Sequence, residues 1–207
     1  MKNNATDLLL IFTRNPELGK CKTRLAATIG DKAALDIYKF LLRHTVEITK
    51  NLFVEKYVYY SEDIWEDDIW NSKLYTKKLQ EGIDLGERMK NAFADGFKNG
   101  FQKIIIIGSD MYDLSQDDLA NAFSKLDEHD FVIGPALDGG YYLLGMKYVK
   151  EELFSDKVWG TGTVLKHTLK NLANDDFNLV DERNDVDFYE DIKDNIVFQP
   201  FLQNLKK

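Results

Sequence analysis

The sequence has little of what marks a secreted, membrane-spanning or nucleic-acid-binding protein. Its 207 residues include a single cysteine, Cys21, so an internal disulfide framework is excluded and a reducing compartment is expected. Acidic residues outnumber basic ones by 35 to 27, and the net charge of −8 argues against general binding to nucleic acid or anionic membranes. The strand-like apolar runs reach five residues at most, too few for a membrane span or a signal peptide. These absences predict a cytoplasmic globular protein.

The most informative segment is the first apolar run, residues 8–12, together with the polar loop that follows it. The run predicts a buried strand, and the loop holds Arg14, Lys20, Lys22 and Arg24, four cations in 11 residues where the average composition gives about 1.4. Open α/β sheets bind ligands beyond the carboxyl ends of their strands, and a helix that begins after the loop would offer free N–H groups to an anion. The segment therefore predicts phosphate binding, although a solvated loop with locally balanced charges is an equally good interpretation. Neither a P-loop nor a dinucleotide-binding glycine motif is present.

Apolar periodicity predicts strands that alternate with helices. Further strands are predicted at residues 56–61, 74–79, 103–107, 131–133, 141–146 and 178–180. Helices are predicted at residues 31–48, 84–97, 116–126, 163–172 and 187–193. This alternation indicates βαβ units and a mostly parallel sheet, which the hairpin-like residues 134–145 make mixed. No linker or internal repeat is visible, so one domain over residues 1–207 is expected.

A carboxylate, Asp110, follows the most apolar of these strands, residues 103–107. It should lie at the ligand-binding edge of the sheet, where carboxylates hold the divalent cations that bridge phosphates. Asp110 or Asp113 could instead cap the next helix, but Ser115, with Asp118 three residues later, is the better cap. Asp110 is therefore predicted to be a metal ligand.

Two other segments carry weaker signals. Gly139 and Gly140 follow Asp138, and paired glycines allow a backbone to approach a ligand closely, although an Asp-Gly pair is equally typical of a hairpin turn. Asp185 and Asp187 follow the last predicted strand, in an acidic run that is most often a solvated surface or a helix start. The order of all these segments, each at a predicted strand end, is more informative than any one of them.

Taken together, the segments resemble a bacterial glycosyltransferase-like family of the nucleotide-diphospho-sugar transferase superfamily. This family, formerly described as a domain of unknown function, is placed near arsenosugar-biosynthesis enzymes and is related to molybdenum-cofactor and phospholactate guanylyltransferases. The resemblance extends over almost the whole chain, and its most specific blocks are D-G-G-Y-Y-L and L-G-E-R-M. The matching segments are residues 12–26, 80–89, 107–114, 134–145, 159–161 and 183–187.

The resemblance implies a fold and a set of site residues. The fold is the GT-A-like three-layer α/β/α sandwich with a mixed, mostly parallel sheet. The nucleotide phosphates would be bound by Thr13, Arg14, Gly19, Lys20, Lys22, Arg24, Gln80 and Ser109. The acceptor would contact Asp138, Gly139, Gly140, Tyr141 and Trp159. Mg²⁺ or Mn²⁺ would be held by Asp110 and Asp187, and the catalytic residues would be Asp110, Asp138, Lys22 and Arg24.

The chain departs from the family pattern at five positions. Met111 and Tyr112 replace Cys-Pro, Gly160 replaces Ser or Thr, Asn184 interrupts the late acidic motif, and Phe188 replaces Thr. We expect a reshaped loop after Asp110, and a change of acceptor specificity or a loss of activity would follow from it.

The leading functional hypothesis is metal-dependent glycosyl transfer from a nucleotide sugar to a small acceptor. Nucleotidyl transfer of the guanylyl or cytidylyl type, with release of pyrophosphate, would use the same residues. A third hypothesis is a nucleotide-binding protein without catalytic activity. In each case the partners are small molecules rather than nucleic acid or membrane, and the chain is expected to be a monomer or a homodimer.

Overall fold

Seven strands form one mixed sheet in the computed structural model, which describes residues 6–203. The strands are β1 (Asp7–Thr13), β2 (Glu55–Tyr60), β3 (Thr76–Leu79), β4 (Lys103–Gly108), β5 (Phe131–Pro135), β6 (Tyr141–Met146) and β7 (Phe177–Leu179). Their order across the sheet is β3-β2-β1-β4-β6-β5-β7, and neighbours are parallel except for the two pairs that β6 makes. The predicted mixed, mostly parallel sheet is confirmed.

Helices cover both faces of this sheet. They are α1 (Thr23–Ile29), α2 (Asp31–Thr49), α3 (Leu85–Lys98), α4 (Gln116–Glu128), α5 (Val164–Asn171) and α6 (Gln199–Leu202). The predicted capping box of Ser115 and Asp118 begins α4. Within residues 6–203, none of the helices combines the length and the apolar character that a bilayer crossing requires.

The side chains of the central strand β1 alternate between two apolar layers. Leu9 and Ile11 pack with α2 and α4 on one face, and Leu8 and Leu10 pack with α3 on the other. All four are fully buried, as expected for a parallel strand covered on both faces. This arrangement confirms the predicted α/β/α sandwich.

The C-terminal segment differs from the prediction. The helix predicted at residues 187–193 is wrong, because only a 3₁₀ turn, Tyr189–Asp191, forms there, and the short α6 was missed. The carboxylate of Asp191 accepts the backbone N–H groups of Asp187 and Phe188 at 2.9 and 2.6 Å. These local side-chain bonds compete with helix formation. Apolar residues of the segment pack instead on α1 and α2.

The direction of β6 positions the site. Because β6 is antiparallel, the turn between Pro135 and Tyr141, which pair with each other, lies at the same sheet edge as the carboxyl ends of β1 and β4. Residues from both halves of the chain are thereby brought to one edge.

Gly86, in the first turn of α3, allows a close approach of the segment that carries Trp159. A Cβ atom at this position would overlap the carbonyl oxygen of Phe154 and lie 2.6 Å from the indole Nε1 of Trp159. We expect Gly86→Ala to lower the free energy of unfolding by about 1–3 kcal/mol, as overpacking typically does. Urea unfolding followed by circular dichroism would measure this change.

Lys98→Ala, on the exposed last turn of the same helix, is the matched control and should change stability by less than about 0.5 kcal/mol. Equal stability of Gly86→Ala and the wild type would contradict the close packing of Trp159 on α3.

Candidate active site

The basic loop, defined as residues 14–24, folds back so that Lys22 reaches the end of β4. Lys22 has left-handed backbone angles (φ 50°, ψ 46°) immediately before α1, a conformation that is uncommon for residues other than glycine. Its Nζ lies 2.8 Å from Oδ2 of Asp110, and its side chain is 6% exposed. Non-glycine residues held in such a conformation are concentrated at functional sites.

A second ion pair joins this loop to the C-terminal segment. Nη1 of Arg24 lies 2.7 Å from Oδ2 of Asp187, and Nζ of Lys22 lies 3.9 Å from Oδ1 of the same carboxylate. The Arg24 guanidinium also lies 5.5 Å from the centre of the Phe188 ring, within the range of a cation–π contact. The predicted cations and carboxylates therefore meet at one place, although 163 positions separate Arg24 from Asp187.

Asp185 is a third carboxylate at this place, and the sequence reasoning did not select it. Burial, followed by the charge of Asp110, raises the pKa of Asp185 to about 6, while the Lys22 ammonium opposes the shift. The backbone N–H of Val186 donates to the carbonyl oxygen of Asp110 at 3.3 Å, which holds the two acidic segments together. The sequence did contain a signal for Asp185. It lies two residues before Asp187, and alternate residues of an extended segment point to the same side.

The hydroxyl of Tyr38, from α2, fixes the start of the basic loop. It accepts the backbone N–H of Arg14 at 2.9 Å and lies 3.3 Å from Oγ1 of Thr13 and 3.2 Å from Oγ of Ser109. Burial raises the pKa of Tyr38, so the hydroxyl stays neutral. Thr13 ends β1 and Ser109 follows β4, and each is 3% exposed. Their buried side chains, in contact with the Tyr38 hydroxyl, therefore fix the ends of these two strands relative to the basic loop.

Two adjoining cavities open at this edge of the sheet. The larger, about 700 Å³, is lined by most of the predicted phosphate-binding residues. The smaller, about 260 Å³, is lined by most of the predicted acceptor-binding residues. Asp110 and Asp185 line both cavities and so mark their junction.

Nearly every predicted site residue lines one of these cavities. The larger cavity is lined by Thr13, Arg14, Lys20, Lys22, Arg24, Gln80, Ser109 and Asp187, and the smaller by Asp138, Gly140, Tyr141 and Trp159. Gly19 and Gly139 line neither, and both have positive φ values. Lining residues to which the sequence analysis gave no role in the site include Tyr38 and Arg88 in the larger cavity, Met89 in the smaller one and Asp185 in both.

The polar residues at the mouth of the larger cavity are held by local contacts. Glu17 and Glu62 form ion pairs with Lys20 and raise its pKa to about 12. The Gln80 amide donates to the backbone carbonyl oxygens of Thr13 and Tyr59 at 3.3 and 3.0 Å.

The loop after Asp110 is built around the two residues that depart from the family pattern. Met111 is buried and lines the smaller cavity. Tyr112 turns away from the site and stacks with Phe40, His44 and Phe198 between α2 and the C-terminal segment. The replacement of Cys-Pro by Met111 and Tyr112 therefore leaves Asp110 at the junction of the two cavities.

No group of three or more His, Cys, Asp or Glu side chains within residues 6–203 is arranged to hold a metal ion. Asp110 and Asp187 instead both face Nζ of Lys22, so an ammonium group lies between the two predicted metal ligands. Metal binding by this pair remains a prediction.

Several solved structures are similar to this chain. A protein of Desulfovibrio desulfuricans G20, provisionally named a nucleotide-diphospho-sugar transferase, is 27% identical with a TM-score of 0.83, over 98% of this chain and 96% of that one. Rv0371c of Mycobacterium tuberculosis H37Rv, in a complex with manganese, is 12% identical with a TM-score of 0.55, over 95% and 97% of the two chains. CMP:2-keto-3-deoxy-manno-octonic acid synthetase in a complex with CTP is 10% identical with a TM-score of 0.52, over 96% and 99%. The last two similarities concern the fold alone.

These similarities confirm the predicted superfamily and fold, and the predicted class of enzyme, a transferase. No curated protein matches the chain. A family model described as "Uncharacterized protein conserved in bacteria (DUF2064)" matches residues 45–161, which is 117 of the 207 residues. The chain therefore belongs to the bacterial family DUF2064.

Proposed function

We propose that this transferase uses a nucleotide-activated donor and moves a glycosyl group from a nucleotide sugar to a small acceptor. The observation that carries the proposal is the junction of the two cavities, where Lys22 pairs with Asp110 and Arg24 with Asp187. On one side of that junction lies a cavity with five cationic side chains, and on the other a cavity lined by carboxylates and by apolar and aromatic residues. A donor and an acceptor could occupy the two cavities and meet at Asp110.

The larger cavity suits a nucleoside diphosphate because of its fixed positive charge. Arg14, Lys22, Arg24 and Arg88 line it, and Lys22 is almost fully buried. A positive charge directed at a leaving group stabilises that group more strongly in a site with little water than the same charge does in solvent. Lys22 and Arg24 would stabilise the negative charge that develops on the diphosphate as the glycosyl bond breaks.

A divalent cation such as Mg²⁺ or Mn²⁺ would be bound at the junction together with the donor, because the carboxylates of residues 6–203 are not arranged to hold a metal ion by themselves. Asp110 and Asp187 offer hard oxygen atoms there, and the repulsion among Asp110, Asp185 and Asp187, which contributes to the raised pKa of Asp185, would be relieved by a cation. Asp110 and Asp187 would hold the ion together with phosphate oxygens of the donor. Once bound, the metal would polarise those oxygens and neutralise their charge. Manganese in a protein of the same fold is consistent with this choice.

The acceptor would lie in the smaller cavity, near Asp138. This carboxylate is exposed at the turn before β6 and is held by the backbone N–H of Gly140, which donates to its Oδ1 at 2.8 Å. Asp138 would orient the acceptor hydroxyl and take up its proton. The hydroxyl oxygen would then form a bond to the anomeric carbon, and the electron pair of the broken bond would leave with the nucleoside diphosphate.

Nucleotidyl transfer is the second candidate, favoured by the CTP complex of a protein with the same fold. Glycosyl transfer and nucleotidyl transfer differ in their leaving groups. Release of pyrophosphate from GTP or CTP in the presence of Mn²⁺ would support nucleotidyl transfer. Slow metal-dependent hydrolysis of a nucleotide sugar would support glycosyl transfer. Nucleotide binding with neither activity would indicate a non-catalytic binding protein.

Asp110→Asn tests the assignment of the junction. With Mn²⁺ and a nucleotide at about 100 times its dissociation constant, the wild type should gain about 2.7 kcal/mol of stability. The variant should lose most of this gain, because a cation ligand at the phosphates is removed. Thermal unfolding with a series of nucleotides and nucleotide sugars, with and without Mn²⁺, is the measurement.

Asp194→Asn, an exposed carboxylate in the C-terminal segment, is the matched control and should respond to ligands as the wild type does. An undiminished response of Asp110→Asn to nucleotide and Mn²⁺ would remove Asp110 from the site.

The raised pKa of Asp185 predicts a pH-dependent effect on stability. Between about pH 4 and pH 6 the folded chain binds more protons at this position than the unfolded chain, so its contribution to stability falls as the pH rises and stays low above pH 6. Asp185→Asn should therefore stabilise the metal-free protein by about 1–3 kcal/mol at pH 8, and by much less near pH 4. Urea unfolding in EDTA at both pH values measures the difference. An equal effect at both pH values would contradict the shift.

A further inference from the structure

The two cavities differ in the charges that line them. Arg14, Lys20, Lys22, Arg24 and Arg88 line the larger cavity. Within residues 6–203, no Lys, Arg or His side chain lines the smaller cavity. Its charged residues are all carboxylates, namely Asp110, Asp138 and Asp185. Among the described residues, the cationic side chains that could pair with an anionic acceptor therefore line the larger cavity and not the smaller one.

Three backbone N–H groups near the smaller cavity are bound within the protein. The N–H of Gly140 donates to Oδ1 of Asp138 at 2.8 Å. At the start of α5, the N–H of Leu165 donates to the carbonyl oxygen of Gly139 at 2.9 Å. The N–H of Val164 donates to the carbonyl oxygen of Thr161 at 3.4 Å. A phosphate or carboxylate entering here would meet three carboxylates, and like charges brought together at a binding site are costly.

The remaining walls offer an apolar and aromatic surface. Trp159, held against α3 at Gly86, lines the cavity together with Tyr141. The Tyr141 hydroxyl donates to the Met89 sulfur at 3.8 Å and has no other hydrogen-bond partner among residues 6–203. Met111 and Val164 add aliphatic surface. Aromatic residues with a free polar end suit a ring that has an apolar face and hydroxyl groups.

We infer that the acceptor is a hydroxyl compound without any anionic group, a neutral or amine-bearing sugar or a similar ring, because the smaller cavity holds three carboxylates and no cationic side chain. This inference rests on the proposed function and narrows it. An acceptor phosphate, which nucleotidyl transfer onto a phosphate monoester requires, would find no cationic side chain among the residues that line this cavity. A glycosyl acceptor needs only a hydroxyl and a carboxylate to receive its proton.

The test compares acceptors that differ only in charge. D-glucose, D-galactose and D-mannose would each be measured beside the corresponding hexosamine, hexuronate and hexose 6-phosphate. The protein is first saturated with Mn²⁺ and with the nucleotide or nucleotide sugar that stabilises it most, so that the cationic cavity is occupied. Saturation-transfer NMR gives the affinities, and Trp159→Ala identifies binding in the smaller cavity.

Neutral or amine-bearing sugars should bind in a Trp159-dependent way, about tenfold or more tightly than their anionic counterparts. Asp138→Asn should reduce this discrimination, whereas the exposed control Asp194→Asn should leave it unchanged. Equal or tighter Trp159-dependent binding of hexuronates or hexose phosphates would overturn the inference. The absence of any Trp159-dependent binding would also overturn it, because the smaller cavity would then not be an acceptor site for such rings.

A different result, obtained with the same protein sample, would contradict the proposed function. If neither nucleotides nor nucleotide sugars stabilise the protein in the presence of Mn²⁺, the donor site is wrong. The sugar series is then measured without nucleotide, and its charge preference still decides the inference about the smaller cavity.

Discussion

The ammonium group of Lys22 is the interaction on which the arrangement of the site depends. It is almost fully buried, 2.8 Å from Asp110 and 3.9 Å from Asp187, and without it the carboxylates of two distant segments would face each other unbalanced. Removing one member of a buried ion pair is costly because the other charge stays behind. The left-handed backbone at Lys22 is needed for this reach, so the contacts that fix the loop, above all those of the Tyr38 hydroxyl, also serve the ion pair.

The mixed sheet separates the site into two parts with different chemistry. Parallel strands β1 and β4 end at the cationic cavity, as is usual in open α/β sheets. The reversed strand β6 brings a tight turn to the same edge, and with it the residues of the second cavity. Since no residue of this turn lines both cavities, the turn could change in evolution without altering the basic loop.

Much of this was predictable from local sequence. The apolar run of residues 103–107 and the capping box at Ser115 identified β4 and α4 because burial and capping act over few residues. The candidate site residues were predicted from the motifs of a known family rather than from physical reasoning alone. Tyr38 was missed, and Asp185 was noted but given no role in the site, because their importance comes from contacts with distant parts of the chain, such as those of Tyr38 with Arg14 and Ser109 across 24 and 71 positions. The prediction of a helix at residues 187–193 was wrong because apolar periodicity carries no information about a side chain, such as that of Asp191, that binds backbone N–H groups and so competes with helix formation.

The outermost strands of the sheet are both brief, four residues in β3 and three in β7, and β3 contains Lys77 and Lys78. Short, lysine-bearing edges are poor templates for pairing with a strand of another molecule. Self-association by extension of the sheet is therefore disfavoured, and two copies of this chain would have to meet through helices or loops. A continuous sheet running from one protomer into another is the form of assembly that this fold discourages.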